Sequence, residues 1–415
     1  MKYQNKDTPI HRISPLLKIL YSIAISIFIV ILKTPLQLCL LTLFVLSVFF
    51  LTKPKLNQIK VLLIVVLTIG ITTILSQAIF YYFEPKTRLF TLINKDVPII
   101  GWLTQGVYIY KEGIVYGAIQ SLRIISAMFM ASTIVVTTHP SDMIVALNKL
   151  RLSKSLSFVI SVSIRFLPQL LDEMKRILLA IRLRGVKLKT IRGSINAFRL
   201  TLSPLIINSL RRARVVALAA EVRGFSCSNQ QKKNKELIVF DTLELVTIAF
   251  FIILLYVAIL PFKMGLSKIP FLYNFFLSIP FTCVLFIGIR LIPRFGTATF
   301  LICGHSLFTQ IVSRGINPLW WPYALAESLT LEAYFLLTRN YLESNFSAIT
   351  AGALRGLIVY VYFYYISAPF IWHKHYANWF IIGNTMQGVI GSAIGGIIGY
   401  KISRTIEKAY KYGGI

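Results

Sequence analysis

The chain has 415 residues, of which 56% are hydrophobic and 14% charged, with a formal net charge of +29 at neutral pH. A mean hydropathy of +0.71, concentrated in runs near the roughly 20 residues a spanning helix needs, excludes an ordinary water-soluble enzyme. Cys39, Cys227, Cys283 and Cys303 lack C-x-x-C spacing, which argues against a disulfide framework or a cysteine zinc site and predicts packing roles.

In chain order, apolar runs predict helices near 16–32, 36–51, 60–80, 106–137, 238–260, 271–292, 297–313, 319–338, 348–371 and 379–402. The fold class is an all-α polytopic membrane protein with about ten transmembrane helices. No small-residue cleavage pattern follows the first run, so it reads as a span rather than a signal peptide. The short run after Pro35 and the Gly-containing run after Gly296 also fit re-entrant or tilted segments. Residues 81–105 are polar enough to lie at the surface, with Tyr81, Tyr82 and Trp102 at interfacial positions.

Basic residues set the orientation. A cytoplasmic N-terminus places Lys53 to Lys60, the segment 139–236, Arg290, Arg294, Arg339 and the tail with Lys401, Arg404, Lys408 and Lys411 on one side. Both termini are then cytoplasmic. The segment 139–236 holds 19 Lys or Arg against 5 Asp or Glu, close to half of the net charge. It has no nucleic-acid reading motif and is tethered between spans, so anionic inner-leaflet lipid and a protein partner are the two readings that remain.

From Phe166 to Arg184, Leu167, Leu170, Leu171, Met174, Ile177, Leu178 and Ile181 recur every three or four residues among charged neighbours, predicting an amphipathic rather than a spanning helix. Pro204 to Arg223 repeats the pattern through Leu205, Ile206, Leu210, Ala213, Val216, Ala217 and Ala220. Each helix ends on an Arg-Gly pair, Arg184-Gly185 and Arg223-Gly224. One such pair is ordinary C-capping, because Gly takes the left-handed conformation and Arg favours the negative end of the helix dipole. Its recurrence 39 residues later presents two rigid guanidinium forks, suited to a two-subunit partner.

At these residues the chain resembles, over about 10–262, the transmembrane coupling subunit of energy-coupling factor transporters, the family that includes the cobalt transporter's coupling protein. The resemblance rests on Ser14-Pro15 with Lys18, Thr137-Thr138-His139-Pro140-Ser141-Asp142 with Leu147 and Leu150, Arg165-Phe166-Leu167-Pro168, Ala180-Ile181-Arg182-Leu183-Arg184-Gly185 and Ala220-Glu221-Val222-Arg223-Gly224-Phe225. Ser14 and Leu16 depart from the charged residues frequent at the family's first motif. The resemblance implies that Arg184 and Arg223 dock coupling helices on two cytoplasmic ABC-type ATPase subunits, with Ala180 and Ala220 permitting close approach. ATP and Mg belong on those partners. The chain itself has no G-x-x-x-x-G-K-[ST] phosphate loop and is expected to be a permease component, with no catalytic residue, metal or cofactor of its own.

The organisation expected is a coupling module at 1–262, including the cytoplasmic segment 139–236, and an additional bundle at 263–415. That bundle resembles, loosely, the substrate-binding subunits of the same transporters, including the thiamine or hydroxymethylpyrimidine group. The features are Pro293 to Ala298, Glu327 to Glu332 and the small-residue last helix. The resemblance implies uptake of a small organic micronutrient, and candidate contacts are Trp320, Trp321, Glu327, Glu332, Trp379, Asn384 and Gln387. For the buried glutamates, an intramembrane pair with Arg355 and ligand contact fit equally well. Trp320, Trp321, Trp372, His373, His375 and Trp379 form an aromatic belt on the non-cytoplasmic side, where a flat ring could also stack. His305 reads as a packing residue. Gly352, Gly356, Gly391, Gly395 and Gly399 make smooth faces for close helix packing. The alternative function is a scaffold whose C-terminal bundle binds nothing while a separate subunit binds substrate.

Overall fold

The computed structural model describes residues 8–32, 34–79, 87–93, 107–149, 154–184, 191–224, 240–266, 273–314, 317–339, 341–371, 376 and 378–412. Tyr81, Tyr82, Trp102, Gly185, Trp372, His373 and His375 lie outside these residues, as does the side chain of Trp379. In order, the elements are α1 (Pro9–Arg12), α2 (Pro15–Ile31), α3 (Pro35–Leu51), α4 (Leu56–Ile79), β1 (Arg88–Ile93), β2 (Val107–Tyr110), α5 (Lys111–Thr137), α6 (Pro140–Lys149), α7 (Lys154–Leu183), α8 (Ile191–Val222), α9 (Thr242–Leu266), α10 (Tyr273–Leu291), α11 (Thr297–Thr309), α12 (Trp321–Thr338), α13 (Asn345–Val361) and α14 (Asn378–Tyr412). Short π-helical stretches follow α11 and α13, at Gln310–Arg314 and Tyr362–Ile371.

Each predicted apolar run contains a helix among its described residues, and the chain is a polytopic membrane protein. Among the described residues, seven helical stretches are long and apolar enough to cross a membrane, at Leu56–Leu75, Lys111–Thr137, Ser155–Leu183, Thr242–Ile259, Asn274–Leu291, Asn345–Ile371 and Phe380–Glu407. Pro15–Ile31, Pro35–Leu51 and Thr297–Val312 are shorter apolar helices. Two sequence expectations change. The span expected at 319–338 is a helix but is absent from both sets, whereas Ser155–Leu183, read as amphipathic from Phe166 onward, is long and apolar enough to span.

The chain divides into two compact units. The first holds residues 1–146, 313–319 and 363–381. Its centre is α5, which packs against α2, α3 and α4. Ile25, Ile29, Val45, Phe49, Leu62, Phe129 and Met130 form the shared apolar core. Thr42 and Ser126 join their hydroxyls at 2.8 Å across α3 and α5. A Cβ on Gly117 would stand 2.8 Å from the Ile74 backbone, so α4 and α5 approach too closely for any larger residue there. The buried Lys18 ammonium donates to the Thr137 carbonyl at 3.0 Å, capping the end of α5. Leu36, Leu40, Leu43, Ile64 and Leu67 are more than half exposed, as suits a lipid-facing surface.

β1 and β2 pair antiparallel, with Arg88 opposite Tyr110 and Ile93 opposite Val107. This hairpin was not expected. The sequence pattern merges Val107-Tyr108-Ile109-Tyr110 with the following span, yet its aromatic and β-branched residues favour a strand.

The second unit holds 147–312, 320–362 and 382–415. At its centre α9 is buried on all sides, from Leu245 to Val257, against α7, α8, α10 and α11. A helix apolar all round requires neighbours on every face. The boundary expected at 262 therefore does not coincide with the compact units, because α9 draws both preceding and following helices into one core. Within this core, α14 lies against α10 and α13 at backbone distance. A Cβ on Gly391, Gly395 or Gly399 would fall 2.5–2.6 Å from the carbonyl oxygens of Phe275, Ile279 and Cys283, and one on Gly352 or Gly356 the same distance from those of Ser392 and Gly388.

Candidate functional site

The two basic helices are longer than their patterns predicted. Both α7 and α8 begin before the first periodic residue, and Pro168 and Pro204 lie inside them rather than at their starts. Proline removes one backbone donor, a loss that tertiary packing offsets here. Upstream of the prolines, Val159 and Ile160 on α7 and Leu202 on α8 are buried, Ser163 donates to the Ala249 carbonyl at 3.0 Å, and Phe166 packs on Phe250 at 5.2 Å. These contacts link positions far apart in sequence, so no local pattern announces them.

Beyond the prolines the helices cross at Glu173. Its carboxylate accepts from Asn208 Nδ2 at 2.5 Å and pairs with Arg212 at 2.8 Å. Glu173 lies eleven residues before Arg184, and Arg212 lies eleven before Arg223. At 1.5 Å per residue, Arg184 lies about 16 Å beyond Glu173 along α7, and Arg223 lies about 16 Å beyond Arg212 and about 22 Å beyond Asn208 along α8.

Arg184 and Arg223 are exposed. The Arg184 N–H donates to the Ala180 carbonyl at 3.2 Å, continuing the α7 bonding pattern to its last turn. Gly224 adopts φ +79 and its N–H donates to the Glu221 carbonyl at 2.8 Å, ending α8 in the left-handed conformation that a side chain resists. Ala180 is exposed and Ala220 half-buried. Leu179 and Leu183 on α7, and Val215, Leu218 and Val222 on α8, are 57–88% exposed. These apolar strips beside the tips were missed in the sequence. Their signal was an apolar i, i+4 row on the side opposite the buried Ile181 and Ala217.

The candidate substrate residues fall on α12 and α14, and most of those described are engaged by neighbouring helices. Glu327 on α12 pairs with Arg355 on α13 at 2.7 Å, and Arg355 Nη1 also donates to Thr282 on α10 and Ser392 on α14, at 2.9 and 3.1 Å. The guanidinium lies 4.4 Å from the Phe281 ring centroid. Of the two roles weighed for Glu327, the structure shows the ion pair. Glu332 accepts from the Thr299 N–H at 3.2 Å, beside the Gly296 turn that opens α11. Next to it, burial and then the Glu332 charge push the Tyr341 phenol above its usual range. Trp321 donates to Gln310 at 3.2 Å, and Trp320 stacks edge-on to Tyr323. Asn384 accepts from Asn274 at 2.9 Å. Gln387 Oε1 and Thr385 Oγ1 are covered and have no hydrogen-bond partner among the described residues. Trp379 belongs to the first compact unit. His305 packs edge-on against Phe281 at 5.3 Å. Among the described residues, no group of three His, Cys, Asp or Glu is placed to hold a metal ion.

A family model described as "Cobalt transport protein", CbiQ, matches residues 6–234, more than half of the chain and the whole of the crossed-helix segment. The chain belongs to this family. It is similar to the energy-coupling factor transporter transmembrane protein EcfT of Staphylococcus aureus, with 28% identity over 242 residues, 53% of this chain and 89% of the relative. The EcfT proteins of Bacillus subtilis and Streptococcus thermophilus are 27% and 29% identical over 249 and 259 residues, covering 57% and 60% of this chain and 88% and 93% of theirs. The chain is accordingly a multi-pass membrane component of an energy-coupling factor transporter, and not itself an enzyme.

Proposed function

We propose that this CbiQ-family chain couples two cytoplasmic ABC-type ATPase subunits to the import of a small organic micronutrient, and that residues 263–415 are its own substrate-binding module. The observation that carries the coupling reading is the pair of helices joined through Glu173, each running on to an exposed Arg beside an apolar strip. Arg184 and Arg223 supply planar forks for acceptors on the ATPases, and the Leu and Val strips supply the buried area that holds each contact. ATP and Mg bind on those partners. Both termini and the basic segment face the cytoplasm, following the distribution of Lys and Arg. Nucleotide-driven motion of the ATPases moves both arms together, and the core around α9 transmits that motion to the helices packed on it.

In the C-terminal module the ligand contacts rest on an amide and a hydroxyl rather than carboxylates, because Glu327 and Glu332 already have internal partners whereas Gln387 Oε1 and Thr385 Oγ1 have none among the described residues. A flat, hydrogen-bonding molecule fits this chemistry. The same internal satisfaction of both glutamates favours the scaffold reading, in which a separate subunit binds substrate, so the experiment must divide the two.

Replacing both Arg184 and Arg223 by Ala should abolish co-purification with the ATPases and ATP-dependent uptake, while membrane insertion persists. Unchanged assembly and uptake would refute the docking role. Thermal unfolding of the full chain against a vitamin and precursor panel, led by thiamine and its hydroxymethylpyrimidine precursor, tests the module. Stabilisation by one compound, lost in Gln387→Leu, is expected. No response to any compound would favour the scaffold.

A further inference from the structure

We propose that Glu173 is a positioning residue: through Asn208 and Arg212 it fixes the separation of the two Arg tips, and with it the spacing of the two contacts they offer an ATPase pair. The inference rests on the coupling reading and adds to it the group that sets the geometry of the docking ends.

Each basic helix has an anchored half and a projecting half, with a weakened turn between them. Upstream, Val159 and Val162 on α7 and Leu202 on α8 are buried in the core around α9, where Ser163 also bonds the Ala249 carbonyl. Downstream, the helices run out to Leu183 and Val222, 81% and 88% exposed. Between the halves, Pro168 removes the N–H that would bond the Ile164 carbonyl, and Pro204 the one that would bond Leu200. A helix lacking that bond bends there more readily than elsewhere, so packing of the upstream halves does not by itself fix where the tips lie.

The contacts of Glu173 fall just past both weak turns. Glu173 lies five residues beyond Pro168 and Asn208 four beyond Pro204, about 8 and 6 Å along their helices. Asn208 and Arg212 are one turn apart on α8, so one carboxylate, 13% exposed as a side chain, holds that helix at two successive turns. Two such contacts fix a rotation as well as a distance.

Neither apolar packing nor the remaining charges replace this contact. The buried residues that α8 offers beyond Arg212 are Ala213 and Ala217, short side chains whose burial has no preferred direction. Lys175, Arg176 and Arg182 on α7 and Arg211, Arg212 and Arg214 on α8 make the two helices repel. Asp172, beside Glu173, pairs with Lys175 of its own helix at 2.9 Å and is 63% exposed, whereas Glu173 reaches across. With the Arg212 side chain 40% exposed, the pair contributes little to stability, so its loss frees the tips while the fold persists.

The test first reads the spacing on the full chain alone. Spin labels at Leu183→Cys and Val222→Cys, with Cys39, Cys227, Cys283 and Cys303 replaced by Ala, report the tip-to-tip distance by double electron–electron resonance in detergent. One narrow distance is expected. Glu173→Lys, which sets a cation against Arg212, should lose it, the distribution spreading to longer values at an unchanged unfolding temperature. Adding Arg212→Glu should restore it, because the pair re-forms with its charges exchanged and the Asn208 amide can accept as well as donate. An unchanged distribution in Glu173→Lys, or no recovery on the exchange, would overturn the proposal. Capture of co-expressed ATPase subunits by the unlabelled chain should likewise be lost in Glu173→Lys and recovered by the exchange. Undiminished capture by Glu173→Lys, where Arg184→Ala with Arg223→Ala abolishes it, would overturn the positioning role and leave the coupling reading standing. Capture undiminished in both would overturn the coupling reading and the positioning role with it.

Discussion

Arg355 shows how one residue organises several helices. Its guanidinium joins α10, α12, α13 and α14 through Thr282, Glu327 and Ser392, and its flat face covers Phe281. Both members of the ion pair are at most 8% exposed, so removing one leaves the other charge buried. Arg355→Met or Glu327→Gln alone should each cost about 3–5 kcal/mol, and the double variant less than the sum of the two. Detergent-solubilised thermal unfolding of the four proteins measures that coupling. The sequence made a Glu–Arg pair foreseeable because both charges fall within apolar runs. It gave no hint of Thr282 and Ser392, since hydroxyls are common in spanning helices and carry no charge to flag them.

Among the elements, α7, α8 and α14 teach different lessons. For α14 the small-residue spacing was legible, and the structure adds which backbone each glycine meets. Gly395→Leu would drive side-chain atoms into the Ile279 carbonyl, 2.5 Å from where the Cβ would stand. Separation of α14 from α10 should lower stability by about 1–3 kcal/mol, the usual cost of overpacking, seen as a lower unfolding temperature with the helical signal retained. For α7 and α8 the periodic apolar stripe revealed the amphipathic half but not the upstream half. There the face that matters is buried against α9, and propensity with Pro168 or Pro204 in view argued for a later start. Tertiary contact outweighed the proline.

For the whole molecule, the decisive feature is that α9 serves both the crossed basic helices and the helices that follow it. A chain ending at 262 would strip α9 of the neighbours contributed by α10 and α11, exposing Phe251 and Ile252, both now buried. Such a truncation should fail to accumulate as a monodisperse species in size-exclusion chromatography, whereas the full chain does. A truncated chain as well behaved and as stable as the full one would show that the later helices merely decorate this core. The basic segment, the multi-pass character and the family were all legible without coordinates, because charge clustering, run length and ordered motifs are properties of the linear chain.

By itself, the sequence determined the membrane class, most of the apolar helices and the glycine faces, since each depends on residues close together along the chain. Only the tertiary structure decided that the basic helices cross at Glu173, that Glu327 is engaged by Arg355, and that Arg123 Nε and Nη1 are covered without a hydrogen-bond partner among the described residues. Those outcomes depend on which distant side chains reach one another in a medium that supplies no water to satisfy them.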